Sequence, residues 1–271
     1  MLGLGLAATL PAAANPLFTP TQLPGTNMTQ PCALGMVERP GAARLWRANA
    51  PGLPLEAGNL RLTYLGHSSF LIETPGGASA VSDYNGVHRP PYVSDVVTMN
   101  NAHSTHFTDV LDPAIGHVLR GWSYGSIGRH DISVKDLRVF NVPTNLTTLG
   151  SVTQNGNSIF VYQAANLCIA HLGHLHHLVG AENARAMGRI DVLLIPIDGG
   201  STMSHIEAVE AVAEIAPRLV VPMHYHWRGA AEGFVAAIAG RYPVRTSPSR
   251  TIMLNRRDLP ATTEILFPTP W

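Results

Sequence analysis

Charge is scarce in this chain. Only 13% of its 271 residues are Asp, Glu, Lys or Arg, the 18 basic and 18 acidic side chains cancel, and Lys135 is the single lysine. Nucleic acid and anionic membranes are bound through clustered Lys and Arg, so this composition excludes both as primary partners. The adjacent Arg256 and Arg257 read as a solvated turn rather than a phosphate groove. Cysteine is nearly absent, since Cys32 and Cys168 are too few for a disulfide scaffold. No apolar run reaches the ~18 residues that a membrane-spanning helix needs. No period of about 20–50 residues recurs, which excludes solenoids and propellers. A hydrophobic content of 45% with zero formal net charge excludes bulk disorder. What remains is one large domain or two small ones, with room for a sizeable core. Histidine alone is abundant, with 13 copies.

Residues 1–14, MLGLGLAATLPAAA, hold an apolar stretch and then a small-residue triplet before Asn15. They read as the core and cleavage site of a secretory signal peptide, although the usual basic start is missing. The expected location is therefore periplasmic or secreted, and cytoplasmic if the export signal is misread. Residues 15–57 are proline-rich and lack apolar periodicity, as an extended lead-in would. An exported chain could pair Cys32 with Cys168. Cys168 lies inside the apolar run FVYQAANLCIA, where a buried free thiol is the favoured reading.

The main domain is expected over 58–271. Short β-rich runs bounded by Gly, Pro and Asn predict strands over 60–74, 78–83, 95–100, 136–143, 158–170, 191–197, 218–224 and 251–254. Helices are expected near 180–188, over 201–217 and over 229–240. The second has an apolar face and a Glu face, and Ser204 with Glu207 forms a capping-box pattern at its start. Strands first, then strands alternating with helices, predict α/β sheets covered by helices on their outer faces.

Five histidines fall at strand ends, where loops assemble active sites in layered α/β proteins. His103 and His106 follow the strand over 95–100, and their spacing of three can turn two imidazoles toward one ion. His171, His174, His176 and His177 crowd together after the strand over 158–170, beside Gly173, which permits a sharp bend. His224 closes RLVVPMH, and the neighbouring His226 is ambiguous. Imidazole donors suit zinc first and iron, nickel or copper next. Ligand histidines need a second partner on the other ring nitrogen, and Asp83 is the candidate.

The segments YLGHSSFLIET, VSDY, DVVTMNNAHSTH, LCIAHLGH, IDVLLIPIDGGSTM and LVVPMHY, in this order over about 58–228, resemble the metallo-β-lactamase superfamily. Within it they are most similar to the sugar-lactone lactonase and N-acyl-phosphatidylethanolamine phosphodiesterase branch. The resemblance implies a four-layer αββα sandwich with one or two metals at one edge between the sheets. The family motif H-x-H-x-D-H falls on Asn101, His103, Thr105 and His106, so its first histidine and its aspartate are replaced. The later metal-site histidine falls on His171, the bridging carboxylate on His174, and the last histidine on His224. A neutral imidazole cannot bridge two cations as a carboxylate does. The expectation is therefore one metal, zinc by default with iron or manganese as alternatives, drawn from His103, His106, His171, His174 and His224, with Asn101 as a weak further donor.

For a resembling enzyme, hydrolysis of a small ester, lactone or phosphodiester by metal-bound hydroxide is expected. In the family the turn holding His67 lies beside the metals, so proton transfer falls to His67 or to a surplus imidazole such as His174. His67 could equally be a core histidine bonded to backbone. Asp198-Gly199-Gly200 could orient a ligand or a metal-bound histidine, or form a plain turn. The alternative is a degenerate, non-hydrolytic member that binds a metal or ligand, or a mononuclear iron redox protein. Substrate choice is expected to rest with the loops around 84–93 and 113–130.

Overall fold

The computed structural model describes residues 31–32, 54–123, 126–148, 150–225 and 228–268. The leader expected over 1–14 and most of the lead-in expected over 15–57 lie outside the described residues, as does His226. The elements are β1 (Asn59–Gly66), β2 (Ser69–Glu73), β3 (Ser79–Ser82), β4 (Val96–Met99), β5 (His117–Arg120), β6 (Asp131–Val134), β7 (Leu137–Thr148), β8 (Ser151–Ala164) and β9 (Leu167–His171). They continue with α1 (Gly180–Met187), β10 (Val192–Pro196), α2 (His205–Ile215), β11 (Leu219–Met223), α3 (Arg228–Ile238), β12 (Val244–Thr246), β13 (Thr251–Asn255) and β14 (Glu264–Phe267).

Two mixed sheets face each other. One runs β13-β1-β2-β3-β4-β5 and the other β12-β14-β11-β10-β9-β8-β7-β6. Between them Leu60, Leu62, Phe70, Val139, Phe160, Tyr162, Leu194 and Val221 form one core. Alternate residues of the same strands, among them Phe140, Val161, Ala170, Leu193, Ile195 and Val220, pack instead on all three helices. β9, β10 and β11 are buried on both faces, which is why they read as continuous apolar runs. The architecture is thus the expected α/β sandwich. The outer face of the six-stranded sheet is covered, among the described residues, by loop side chains such as Tyr92, Phe107, Leu111 and Ile115 rather than by a helix.

Two long apolar stretches each divide at a tight turn. His67 breaks the run over 60–74, and Ala165 and Asn166, both at positive φ, reverse the chain between β8 and β9. At α2 the expected capping box is present: Ser204 accepts from the Glu207 N–H while Glu207 accepts from the Ser204 N–H.

Cys168 is not a free thiol. It is joined to Cys32 by a disulfide across 136 residues of sequence. Backbone bonds from Cys32 N–H to the Met187 carbonyl and from Arg189 N–H to the Cys32 carbonyl fasten the same point. Sequence proximity could not reveal this pairing, because Cys32, far from Cys168 in the chain, packs on the helical side of the second sheet. Replacing Cys32 by Ser is expected to destabilise the chain by about 2–4 kcal/mol, measured by urea denaturation with and without reductant. Equal stability under both conditions would show that the bridge is absent. Arg256 is likewise more than a solvated turn residue: its guanidinium donates to buried Asp191 at 2.7 Å.

Candidate metal centre

The site assembles where strands end. β1 stops at Gly66, at φ 136°, where any Cβ would come within 2.6 Å of the His88 ring. His67 follows at φ 53°, Asp83 follows β3 at φ 53°, and His224 follows β11 at φ 57°. Three non-glycine residues in the left-handed region at one edge of the sandwich is a concentration of backbone strain of the kind found at functional sites. The His224 N–H donates to the His67 carbonyl at 2.9 Å, tying the two sheets together at this edge.

His67, His106 and His224 each present a ring nitrogen, and these atoms lie within 4.8 Å of one another. The ring centroids are 4.3 Å apart for His67 and His224 and 5.2 Å for His67 and His106, while His106 and His224 stack at 5.2 Å. Each of two imidazoles is backed by a carboxylate. His106 Nδ1 bonds to Asp83, whose carboxylate also accepts from the Ser68 hydroxyl. This leaves His106 Nε2 buried without a hydrogen-bond partner, as a ligand nitrogen should be. His224 Nδ1 faces Asp198 Oδ1 at 3.2 Å. Burial pushes the Asp83 carboxyl up, but the charge and hydrogen bond of His106, with smaller help from His171 and Ser68, prevail and lower it to about 2. Asp198 is held below the usual carboxylate range in the same way, burial being outweighed by His224, Thr202 and Ser201. The Asp198-Gly199-Gly200 turn is what aims that carboxylate: its oxygens collect the N–H groups of Gly200, Ser201 and Thr202 and the Thr202 hydroxyl.

The other histidines singled out in the sequence divide by what their nitrogens do. His171 spends both on backbone: Nε2 donates to the Ser68 carbonyl at 2.7 Å and Nδ1 accepts from the Gly173 N–H at 3.1 Å. It props the turn that carries His67 and Ser68 and keeps no nitrogen for an ion. Asn101 is also engaged at both ends, donating to the Gly156 carbonyl at 3.2 Å and accepting from the His103 N–H at 2.7 Å. His103 lies toward solvent, bonded to the Thr105 hydroxyl at 2.9 Å and stacked on His174. His174 does reach the cluster, its ring centroid 4.6 Å from His106 and 5.3 Å from His224, with Nδ1 buried and unbonded. Burial first, then the neighbouring imidazoles of His106, His224 and His176, lower its pKa to about 2, so it stays neutral. His176 packs edge-on against His174, and His177 bonds to the Leu178 carbonyl at 2.7 Å. Sequence reasoning did not single out Ser68; its place beside His67, in the turn that faces Asp83, was the available signal.

His171→Ala is accordingly expected to lower stability by about 2–4 kcal/mol through a cavity and lost hydrogen bonds, while metal stoichiometry stays the same. Thermal unfolding and metal analysis of the same sample check both halves. Loss of metal in a folded variant would make His171 a ligand after all.

A family model described as the beta-lactamase superfamily domain matches residues 61–224, which begin in β1 and end at His224. The chain belongs to that superfamily. Within the superfamily, a UPF0173 protein of Pyrococcus abyssi is 29% identical over 65% of this chain and 89% of its own length. A UPF0173 metal-dependent hydrolase of Opitutus terrae is 31% identical over 62% of this chain and 85% of its own length. Among solved structures, a Thermotoga maritima protein described as a Zn-dependent hydrolase of the metallo-beta-lactamase superfamily aligns with a TM-score of 0.56 at 22% identity, covering 77% of this chain and 97% of its own. A metallo hydrolase from Ignicoccus hospitalis aligns at 0.51 and 19% identity, over 73% of this chain and 99% of its own. At such identities the structures speak to the superfamily fold alone. The names of the sequence relatives support a metal-dependent hydrolase in general terms.

Proposed function

We propose that this superfamily member is a hydrolase that binds one divalent cation through His67, His106 and His224 and cleaves a small ester, lactone or phosphodiester. The observation that carries this reading is the convergence of three imidazoles, two of them backed by Asp83 and Asp198. Such a donor set fits zinc, with iron or manganese as alternatives. When bound, an ion of this kind supplies Lewis acidity and brings the pKa of its water toward about 7. The chain's own part is positional. Asp83 and Ser68 fix the tautomer and tilt of His106, Asp198 does so for His224, and His171 holds the turn that presents His67. His174, kept neutral, is suited to a fourth donor nitrogen or to accepting a hydrogen bond from water, and poorly suited to take up a proton at neutral pH. The Cys32–Cys168 disulfide supports a periplasmic or secreted location, because such bridges persist in oxidising compartments.

A non-hydrolytic metal- or ligand-binding role, including mononuclear iron redox chemistry, is the competing reading. Asn101, turned away from the cluster, and His174, standing where the family has a bridging carboxylate, favour it. Purification without chelators followed by metal analysis separates the two. One equivalent of zinc, with turnover of generic lactones or phosphodiesters that disappears in His224→Ala, supports hydrolysis. Bound metal without turnover supports the competing role, and absence of zinc, iron and manganese overturns both. A narrower expectation concerns His174→Asp, which restores a group able to bridge and should move metal content from about one toward two per chain. An unchanged stoichiometry would mean that His174 does not decide nuclearity.

A further inference from the structure

We propose that the outer face of the six-stranded sheet carries a second ligand site, which takes a small zwitterion of the α-amino acid type with an apolar side chain, its carboxylate on Arg89 and its ammonium on Asp112. The proposal is independent of the histidine cluster and of the hydrolase reading.

The site is a hollow of about 230 Å³, smaller than the ~300 Å³ at which pockets for drug-sized ligands begin. Strand alternation places it: Val96 packs in the core between the sheets, and Val97 turns outward to join Tyr84, Tyr92 and Ile115. Those four side chains, with Pro90 and Pro91, form the apolar part of the wall. No histidine is among the described lining residues, although much of the loop over 84–93 is. The wall is held in place by the chain itself. The Tyr92 hydroxyl donates to Glu73 at 3.0 Å, the Tyr84 N–H donates to the Thr98 carbonyl at 2.8 Å, and Asn85 Oδ1 accepts from the Val87 and His88 N–H groups, both at 3.0 Å.

Charge selects the ligand. Glu73 pairs with Arg61 at 3.2 Å and Asp95 with Lys135 at 2.8 Å, so the charges behind the wall are compensated. Arg89 and Asp112 remain. Both are exposed, both line the hollow, and among the described residues neither has an oppositely charged partner. Asp112 Oδ1 accepts from the Ala114 N–H at 2.9 Å and the Asp112 carbonyl from the Ile115 N–H at 3.1 Å, which fixes the carboxylate at the rim and leaves Oδ2 for a ligand. A guanidinium takes a carboxylate through paired N–H donors, and here an acceptor for an ammonium borders the same small space. A plain anion would bring a second negative charge toward Asp112, and a plain cation a second positive charge toward Arg89. A zwitterion satisfies both, and the Tyr84 and Tyr92 rings with the proline faces receive its apolar side chain.

The test titrates the full chain, zinc-loaded and metal-free, by calorimetry with three probes: L-phenylalanine, N-acetyl-L-phenylalanine, which keeps only the carboxylate, and L-phenylalaninamide, which keeps only the ammonium. L-Phenylalanine is expected to bind with a dissociation constant of about 1 mM or less in both metal states, and each blocked form at least about fivefold more weakly. Arg89→Gln and Asp112→Asn, the latter keeping the acceptor for the Ala114 N–H, should each weaken L-phenylalanine by about fivefold without moving the thermal midpoint or the metal content. Binding to the zinc-loaded chain alone would put the amino acid on the histidine cluster and overturn the inference. Either blocked form binding as well as the free amino acid, as the end of a peptide would, also overturns it, as do no binding of L-phenylalanine at millimolar concentration and indifference to either variant.

Discussion

His67→Ala is expected to lose its metal as well as its activity. A zinc affinity reduced on the order of a thousandfold, and kcat/KM reduced by a similar factor or more, follow if His67 is one of three donors, because two imidazoles do not hold a divalent ion against buffer and water. A proton-transfer role, the other reading that the LGHSSF turn allows, predicts a different outcome: metal content unchanged and only turnover reduced. Competition with a chromophoric chelator and a rate assay on the same preparation separate the two. The ring sits 4.3 Å from that of His224 and 5.2 Å from that of His106, which is why the donor role is the one expected.

Asp83 carries the second large effect. Its carboxylate is completely buried and serves His106, Ser68 and the Asn100 N–H. Asp83→Ala strands these groups in the interior and is expected to cost about 3–5 kcal/mol, seen as a lowered urea midpoint. Asp83→Asn keeps the shape but no longer fixes the His106 tautomer as an anion does, so metal affinity should fall about 10–100-fold while the fold survives. The pH dependence has a definite sign. A carboxyl lowered to about 2 in the folded chain stabilises it above the unfolded value of about 3.9, and that contribution disappears as pH falls toward 2. The acid side of the stability curve should therefore flatten in Asp83→Asn. An unaltered curve with unaltered metal affinity would remove Asp83 from the account.

Much of this was legible in the sequence for physical reasons. Buried strands such as VLLIP and LVVPM announce themselves because both faces are apolar, and Ser204 with Glu207 marks its helix start by local hydrogen bonding alone. The edge strands β5, β6 and β12, and β14 next to β12, gave no such signal, being three or four residues long and partly exposed. The histidines showed where the site would be, at the ends of strands, but not which would converge. His171 ends β9 and His174 follows three residues later, yet the first turns both nitrogens to backbone and the second keeps one unbonded. That choice depends on the Ser68 carbonyl, 103 positions away in the chain. The Cys32–Cys168 pairing and the Asp198 contact with His224 are likewise tertiary facts that no local pattern encodes.

The central claim is that one cation is held by His67, His106 and His224. Anomalous diffraction from crystals of zinc-loaded protein, recorded on both sides of the zinc edge, tests it most directly. The account predicts one peak per chain, within bonding distance of a ring nitrogen of each of these three residues. Two peaks, or a single peak ligated by His103, His171 or Asn101 in place of His67, would contradict it.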